Sequence, residues 1–227
     1  MDSSRIGILT SELAAQVPLR DIEVTIGART FRLTTAEDIE DLIERISEEE
    51  FRKDERLPYW AELWHSAVAL ADFLTDHPTR LQNARVLEIG CGLALPSIVA
   101  ASLGAHVRCA DYEPMALKAA EINILRNVPD AGVDLQLMDF RSPPDQRWPL
   151  ILGADIIYER RFIEALANFL LQVLEPGGSI LLAEPNRLIA VPFFEALTTL
   201  GFSCTRQTRM AELYQRSVEI SIYEITR

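Results

Sequence analysis

Residues 86–95, VLEIGCGLAL, contain the pattern that decides the fold. The apolar run is typical of a buried strand, and Gly90-Cys91-Gly92 follows it as a turn with almost no side chains. Because Gly90 and Gly92 lack a Cβ, the backbone can turn tightly there and approach a ligand closely. Glu88 places a carboxylate at the end of this otherwise apolar strand. A charge at this point predicts a ligand site where the strand meets the next helix.

Strand and helix patterns alternate on both sides of this stretch. We expect strands at 85–90, 106–112, 133–140, 149–158, 179–185, 203–210 and 217–227. We expect helices at 59–77, 95–104, 115–127, 161–174 and 191–202. Alternating strands and helices indicate a mainly parallel sheet covered on both faces, and the short AELYQR connection predicts a C-terminal antiparallel hairpin. The expected fold class is α/β, a Rossmann-like doubly wound seven-stranded sheet that is mostly parallel.

The first quarter of the chain has a different pattern. DIEVTIGARTFRLT (21–34) predicts a short hairpin, and TAEDIEDLIERISEEEF (35–51) predicts an acidic helix with Thr35 as its cap. We therefore expect residues 1–55 to be an N-terminal extension with a small hairpin and a helix, and residues 56–227 to form the main domain. In the helix pattern further along, Asn123 and Asn127 are expected to be surface or capping residues.

Composition limits the class of protein. The 227 residues carry a formal net charge of −12, which argues against broad nucleic-acid binding and fits an enzyme with a neutral or cationic partner. Three cysteines suggest neither a disulfide framework nor a zinc site, and we expect no metal centre. The apolar runs fall far below the roughly 20 residues that span a bilayer, and no secretory signal is visible. We expect a cytoplasmic protein without a membrane partner.

A second acid indicates the class of ligand. HVRCADY ends near Asp111, about twenty residues after the glycines, where a carboxylate binds ribose hydroxyls. Leu95 stands where a pyrophosphate loop has its third glycine, and the Gly-Lys-Ser/Thr ending of a P-loop is absent. Glu88 would repel a pyrophosphate but suits a cationic amino group. S-adenosylmethionine, with its ribose, sulfonium and amino-acid tail, therefore fits better than NAD.

Four segments carry a family resemblance. VLEIGCGLALPSIVAASLGA, CADYEP, LMDF and GADIIY occur in an order and spacing that resemble the class I, seven-strand, S-adenosylmethionine-dependent methyltransferases. PYWAELWHSA upstream makes the chain similar to the family-sixteen protein-lysine methyltransferases, which include enzymes acting on chaperones and on the electron-transfer flavoprotein β subunit. The resemblance covers roughly residues 58–205. Ala94 departs from the pattern, because many members have glycine there.

The resemblance implies roles for particular residues. It implies a cofactor-binding set around the strand ends: Trp64, Glu88, Gly90, Cys91, Gly92, Asp111, Asp139, Phe140 and Ala154. Within this set, Glu88 would face the methionine amino group and Asp111 the ribose, with Asp139 and Phe140 flanking the adenine. Asp155 and Tyr158, a D-x-x-Y pair, would be the catalytic residues.

The leading hypothesis is N-methylation of a lysine side chain in a protein, by in-line transfer that leaves S-adenosylhomocysteine. A small-molecule N- or O-methyltransferase on the same fold is the alternative. Methylation of a nucleic-acid base is disfavoured, because the segment from Asp155 to Tyr158 lacks the prolines found in enzymes that methylate base amines. A regulatory module that binds the cofactor without turnover is a fourth reading. The pattern does not determine the methyl acceptor, the number of methyl groups added or the oligomeric state.

Overall fold

A seven-stranded sheet forms the centre of the protein, as a computed structural model describes it for residues 2–44 and 57–227. Its strands are β3 (Arg85–Ile89), β4 (His106–Asp111), β5 (Val133–Leu137), β6 (Trp148–Ala154), β7 (Leu174–Glu184), β8 (Ser203–Leu213) and β9 (Arg216–Thr226). Their spatial order is β5-β4-β3-β6-β7-β9-β8, and β5, β4, β3, β6 and β7 are mutually parallel. The chain moves outward from β3 to β5 and then returns to β6 on the other side of β3, which creates a topological switch point there.

Helices cover both faces of this sheet. One face carries α3 (His65–Thr75), α4 (Leu95–Ser102) and α5 (Pro114–Asn127), and the other carries α6 (Ile163–Val173) and α7 (Val191–Thr199). Successive strand residues point into opposite layers: Val86 and Leu150 pack in the first, Leu87 and Ile151 in the second. The predicted doubly wound α/β class is confirmed.

The C-terminal hairpin was predicted correctly, but its turn is shorter than expected. β9 pairs antiparallel with both β7 and β8, so the last strand of the chain lies inside the sheet. Residues 211–213, which we assigned to the connection, continue β8 and pair with 216–218. Only Tyr214 and Gln215 form the turn, with φ of 51° and 59°, as in the mirror-image turns that match strand twist.

The N-terminal region packs onto the first layer. It contains α1 (Asp2–Ala14), the predicted hairpin β1 (Leu19–Ile26) and β2 (Arg29–Ala36), and α2 (Ile39–Glu44). Helix α1, in which Leu9 and Leu13 are buried, was not predicted from the sequence. The predicted helix cap was wrong: Thr35 lies in β2, and Asp38 Oδ1 accepts a hydrogen bond from the Glu40 N–H at 2.8 Å. The rest of the predicted acidic helix lies outside the described residues.

Two asparagines of α5, Asn123 and Asn127, hydrogen-bond to the unpaired edge of β2. We had expected both to be surface or capping residues, and these bonds correct that expectation. Asn123 Oδ1 accepts from the Thr34 N–H at 2.7 Å, and its Nδ2 donates to the Thr34 carbonyl at 3.2 Å. Asn127 makes the same pair of bonds with Arg32, at 3.0 and 2.8 Å. Each side-chain amide thus replaces a missing neighbouring strand.

Within residues 2–44 and 57–227, no helix has the length and apolar character needed to cross a membrane.

Candidate active site

A cavity opens at the carboxyl ends of β3, β4 and β6, on the switch point of the sheet. It encloses about 960 Å³, counting its open mouth. Ten of the eleven residues predicted for the site line it: Trp64, Glu88, Gly90, Cys91, Gly92, Asp111, Phe140, Ala154, Asp155 and Tyr158. Asp139 is not among the lining residues, and its carboxylate pairs with the side chain and the N–H of Arg141. The position agrees with the rule that open α/β sheets bind ligands beyond their strand ends.

The glycine turn forms one wall of the cavity. Gly90 and Gly92 have φ of 61° and 49°, in the left-handed region that favours glycine. A Cβ on Gly90 would lie 2.7 Å from Cγ2 of Ile156, so the turn also needs glycine for space. Ala94 ends the turn with φ of 63° and is fully buried. Alanine therefore accepts some backbone strain at a position where glycine would have none.

Glu88 is a buried acid, and only one of its two carboxyl oxygens accepts hydrogen bonds from the described residues. Its side chain is 1% exposed, and Oε2 accepts hydrogen bonds from the Ser97 N–H at 2.8 Å and from the Ser97 hydroxyl. Oε1 has no hydrogen-bond partner among the described residues. Burial raises the pKa of Glu88 to about 8, against which the Ser97 bonds act. A cation entering the cavity would favour the ionised form and supply the missing partner.

Asp111 lies across the glycine turn from Glu88. Its Oδ2 accepts from the Gly92 N–H at 3.0 Å, and its Oδ1 accepts from the Glu113 N–H at 2.9 Å. A further backbone hydrogen bond, from Tyr112, helps to fix the carboxylate, and its remaining lone-pair capacity can accept from a ligand hydroxyl. Burial raises the pKa of Asp111 to about 6.

Asp155 begins the loop after β6 in a strained backbone conformation. Its φ is 61°, unusual for a residue other than glycine, and its N–H donates to the Ala183 carbonyl at 2.9 Å. Oδ2 accepts from the Ser66 hydroxyl at 3.2 Å, and Oδ1 forms an ion pair with the guanidinium of Arg187. The loop thereby holds a carboxylate at the cavity wall in one orientation.

Aromatic rings surround the same end of the cavity. The ring of Tyr59 packs edge-on against Tyr158 and Trp64, with centroids 5.2 and 6.0 Å apart. Trp64 Nε1 donates to the Tyr59 carbonyl at 2.8 Å, which fixes the indole. Burial, reinforced by a hydrogen bond with Tyr112, raises the pKa of Tyr158 far above its usual value. The Tyr158 hydroxyl therefore keeps its proton.

The lining has the chemistry of a site for S-adenosylmethionine. Two carboxylates, Glu88 and Asp111, face a space whose walls include the apolar side chains of Met138 and Phe140. The carboxylates suit a cationic amino group and ribose hydroxyls, and the apolar walls suit a purine. The same acids would repel a pyrophosphate, so the residues fit this cofactor better than a dinucleotide.

The comparison with protein families agrees with this site. A family model described as "Lysine methyltransferase" matches residues 49–199 of the chain. The chain belongs to the lysine methyltransferase family. The matched range contains β3, β4 and β6 and therefore all three strand ends that form the cavity.

Curated relatives of this lysine methyltransferase family member are similar over part of their length. The electron transfer flavoprotein beta subunit lysine methyltransferase of Xenopus laevis is 32% identical over 133 residues, covering 57% of this chain and 53% of the relative. Protein N-lysine methyltransferase METTL21A of Danio rerio is 36% identical over 139 residues, covering 56% of this chain and 61% of the relative. The chain therefore spans little more than half the length of these two relatives.

Solved structures share the fold. Magnesium protoporphyrin IX methyltransferase of Synechocystis PCC 6803, determined with bound SAM, has a TM-score of 0.59 and 16% identity over 82% of this chain and 90% of that chain. Ribosomal protein L11 methylase of Lactobacillus delbrueckii subsp. bulgaricus has a TM-score of 0.56 and 22% identity over 70% of this chain and 77% of its own. At these identities the likeness concerns the fold.

Sequence reasoning missed part of the site. Tyr112 and Met138 line the cavity without having been singled out in the sequence. Behind Asp155 lie Glu184 and Arg187, which sequence reasoning did not consider. Glu184 had a usable signal, because it is an acid at the end of an apolar strand, as Glu88 is. Arg187 contacts a residue 32 positions away and had no local signal.

Proposed function

We propose that this chain transfers a methyl group from S-adenosylmethionine to a lysine side chain of a protein. One observation carries the proposal: three carboxylates, from Glu88, Asp111 and Asp155, meet in one cavity of a lysine methyltransferase family member. Glu88 suits the amino group of the methyl donor and Asp111 suits its ribose, while Asp155 lies on the same loop as Tyr158. The product left in the cavity would be S-adenosylhomocysteine.

The residues that would hold the cofactor are those around the glycine turn. Glu88 Oε1 would accept hydrogen bonds from the methionine amino group, and Asp111 would accept them from the ribose. Phe140 and Met138 would enclose the adenine, and Trp64 would lie against the methionine end. S-adenosylmethionine supplies a methyl group on a sulfonium, which is an excellent leaving group, so the protein has mainly to align the acceptor and exclude water.

Asp155 and Tyr158 would orient the acceptor amine. Free lysine has a pKa of about 10.4, and the amine must lose its proton before it attacks. The aromatic walls formed by Tyr59, Trp64 and Tyr158 would lower that pKa by desolvation. Asp155 would accept a hydrogen bond from the amine and so direct its lone pair at the methyl group. The proton would leave to solvent, so no side chain is assigned as a general base.

We assign the N-terminal 55 residues to an extension that steadies the cavity wall, and residues 56–227 to the methyltransferase domain. The hydroxyl of Thr35 in the extension donates to the carbonyl of Ala61 at 2.5 Å. Ala61 ends the short turn whose Tyr59 and Trp60 line the cavity. Leu13 and Leu33 of the extension share one apolar core with α5.

The partner and location follow from the same proposal. The relatives from Xenopus laevis and Danio rerio are named as methyltransferases of a protein subunit and of protein lysines. A net charge of −12 favours a cationic partner over a nucleic acid. Cys91, Cys109 and Cys204 are free thiols, which fits a reducing cytoplasm.

A labelling experiment tests the proposal. Purified protein is incubated with methyl-labelled S-adenosylmethionine and a cell lysate that has been divided by a size filter and treated with RNase. We expect label in polypeptides of the retained fraction, recovered as methyl-lysine by mass spectrometry. Asp155→Asn should abolish the label, whereas Asp145→Asn, at an exposed acid, should not. Label confined to small molecules, or lost with RNase, would contradict the proposal.

A further inference from the structure

Three charged side chains meet at the part of the cavity wall that contains Asp155. They are Asp155 after β6, Glu184 at the end of β7, and Arg187 in the following loop. Arg187 forms an ion pair with Asp155, whose side chain is 9% exposed. Two carboxyl groups therefore share one guanidinium, and no other basic side chain of the described residues forms an ion pair with either acid.

Glu184 lacks a partner for one of its oxygens. Its side chain is 1% exposed, and Oε1 accepts from the Arg187 N–H at 3.0 Å. Oε2 is buried without a hydrogen bond among the described residues, and the nearest cationic atom is Arg187 Nη1 at 3.8 Å. An unsatisfied buried carboxylate oxygen is costly and calls for a physical explanation.

The geometry permits Arg187 to exchange between the two acids. Charge-assisted N–H···O bonds are about 2.7–2.9 Å long, so a shift of Nη1 by about 1 Å would complete a bond to Glu184 Oε2. A further turn of the guanidinium away from Asp155 would complete the exchange. The Arg187 side chain is 35% exposed, which leaves its head group room to turn. Burial raises the pKa of Glu184 to about 7, and the guanidinium acts against this shift, so full contact with Arg187 would favour the ionised carboxylate.

We propose that Arg187 holds Asp155 in the substrate-free protein and releases it to the cationic side chain of the incoming lysine, turning to Glu184. The inference rests on the proposed function, because it takes Asp155 as the group that meets the substrate amine. After the exchange each carboxylate has its own cation: Glu184 pairs with Arg187, and Asp155 pairs with the substrate ammonium until that group loses a proton to solvent and attacks the methyl group. Glu184 and Arg187 are thus positioning residues that select an acceptor arriving as a cation.

If the ion pair between Arg187 and Asp155 stayed fixed, substitutions of Arg187 and Glu184 would affect amine binding differently. If Arg187 only oriented Asp155, replacing it would weaken amine binding, and replacing Glu184 would change stability without changing amine binding. The exchange has the opposite consequences. Arg187→Gln removes a competitor for Asp155 and should tighten amine binding. Glu184→Gln removes the second acceptor, keeps Arg187 on Asp155 and should weaken amine binding.

The test uses n-butylamine, which has the length and charge of a lysine side chain. It is titrated into the full chain saturated with S-adenosylhomocysteine, near neutral pH, and binding is followed by NMR of the tryptophan indole N–H groups. Trp64 and Trp60 line the cavity, whereas Trp148 does not and serves as an internal control. Arg216→Gln and Glu212→Gln, at exposed positions, are the matched control variants.

We expect Glu184→Gln to raise the dissociation constant of n-butylamine about tenfold, the worth of one charge-assisted hydrogen bond. Arg187→Gln should lower that constant several-fold, and the two controls should leave it unchanged. Unchanged binding in Glu184→Gln, or weaker binding in a folded Arg187→Gln, would overturn the exchange. Glu184→Gln keeps the shape and the acceptor for the Arg187 N–H, so it decides the question even if Arg187→Gln does not fold.

Failure of this inference can be told from failure of the proposed function. If the wild-type protein methylates polypeptides but Glu184→Gln leaves amine binding unchanged, the exchange is wrong and the function stands. If n-butylamine binds with the expected order among the variants but no polypeptide is labelled, the amine site stands and the protein-lysine reaction is wrong. Absence of amine binding in the wild-type protein would overturn the exchange.

Discussion

At the scale of single residues, the buried acids make the stability of the ligand-free protein depend on pH. Glu88 has a pKa of about 8 in the folded protein, whereas an unfolded glutamate has a pKa of about 4.3. Between these values the folded state binds more protons than the unfolded state. The free energy of unfolding therefore falls as pH rises from about 4.3 towards 8.

Glu88→Gln should remove this contribution. We expect the free energy of unfolding of the variant to fall less than that of the wild type between about pH 5 and 8, by at least about 1 kcal/mol. Urea titrations at several pH values measure the difference, with the exposed Glu212→Gln as the control. Parallel pH profiles for Glu88→Gln and the wild type would show that Glu88 is not held in a protonated state.

Gly90 must be glycine for two reasons: its φ is left-handed, and a Cβ would collide with Ile156. Gly177 has only the first of these reasons, so comparing the two glycines separates backbone strain from the collision. Gly90→Ala adds left-handed strain and places a Cβ 2.7 Å from Ile156. Gly177→Ala adds the strain alone, because its φ is 77° and nothing lies within 4 Å of the new Cβ. We expect Gly177→Ala to cost about 1 kcal/mol of unfolding free energy and Gly90→Ala clearly more. Equal costs in denaturant titrations would contradict the steric role of Ile156.

At the scale of elements, α1 contains an interior glycine that lowers the stability of the helix. Gly7 lies in its interior and is exposed, and a Cβ added there would have no other atom within 4 Å. Gly7→Ala should raise the free energy of unfolding by about 0.5–1 kcal/mol, because alanine loses less backbone entropy in a helix. Thermal and urea unfolding measure this gain, and cofactor affinity should not change. A loss of stability would mean that α1 does not form as described.

Asn123 is the more buried of the two asparagines that join α5 to β2. Asn123 is fully buried and hydrogen-bonds to both backbone groups of Thr34 and to the Leu93 carbonyl. Asn123→Ala leaves these groups unpaired and should cost about 2–4 kcal/mol of unfolding free energy. Asn127→Ala, less buried on the next turn, should cost less than about 1 kcal/mol. The opposite ranking in urea titrations would disprove the role of Asn123.

Elements with local sequence signals were predicted correctly, whereas features that depend on distant contacts were missed. β3, β4 and β6 were predictable because their apolar runs and terminal acids are local signals. Helix α1 was missed because its stability depends on Leu9 and Leu13 packing against the rest of the core. Asn123 was assigned to the surface because its contact with Thr34 joins residues 89 positions apart. Local patterns carry no information about such partners.

At the scale of the whole molecule, strand order brings the site together. Glu88, Asp111 and Asp155 are far apart along the chain, and they meet because parallel neighbouring strands end at the same edge of the sheet. The alternation of strands and helices predicted this meeting point. It did not predict the pairing of Arg187 with Asp155, which depends on where the loop after β7 turns.

The most direct test of the central claim is a calorimetric titration with S-adenosylmethionine. If the cavity at the ends of β3 and β4 holds this cofactor, the wild-type protein should bind one equivalent. Asp111→Asn and Glu88→Gln should each weaken binding by about tenfold or more, since each loses a charge-assisted hydrogen bond. Asp134→Asn, at an exposed acid in β5, should bind as the wild type does. Absence of binding by the wild type, or undiminished affinity in both cavity variants, would contradict the account.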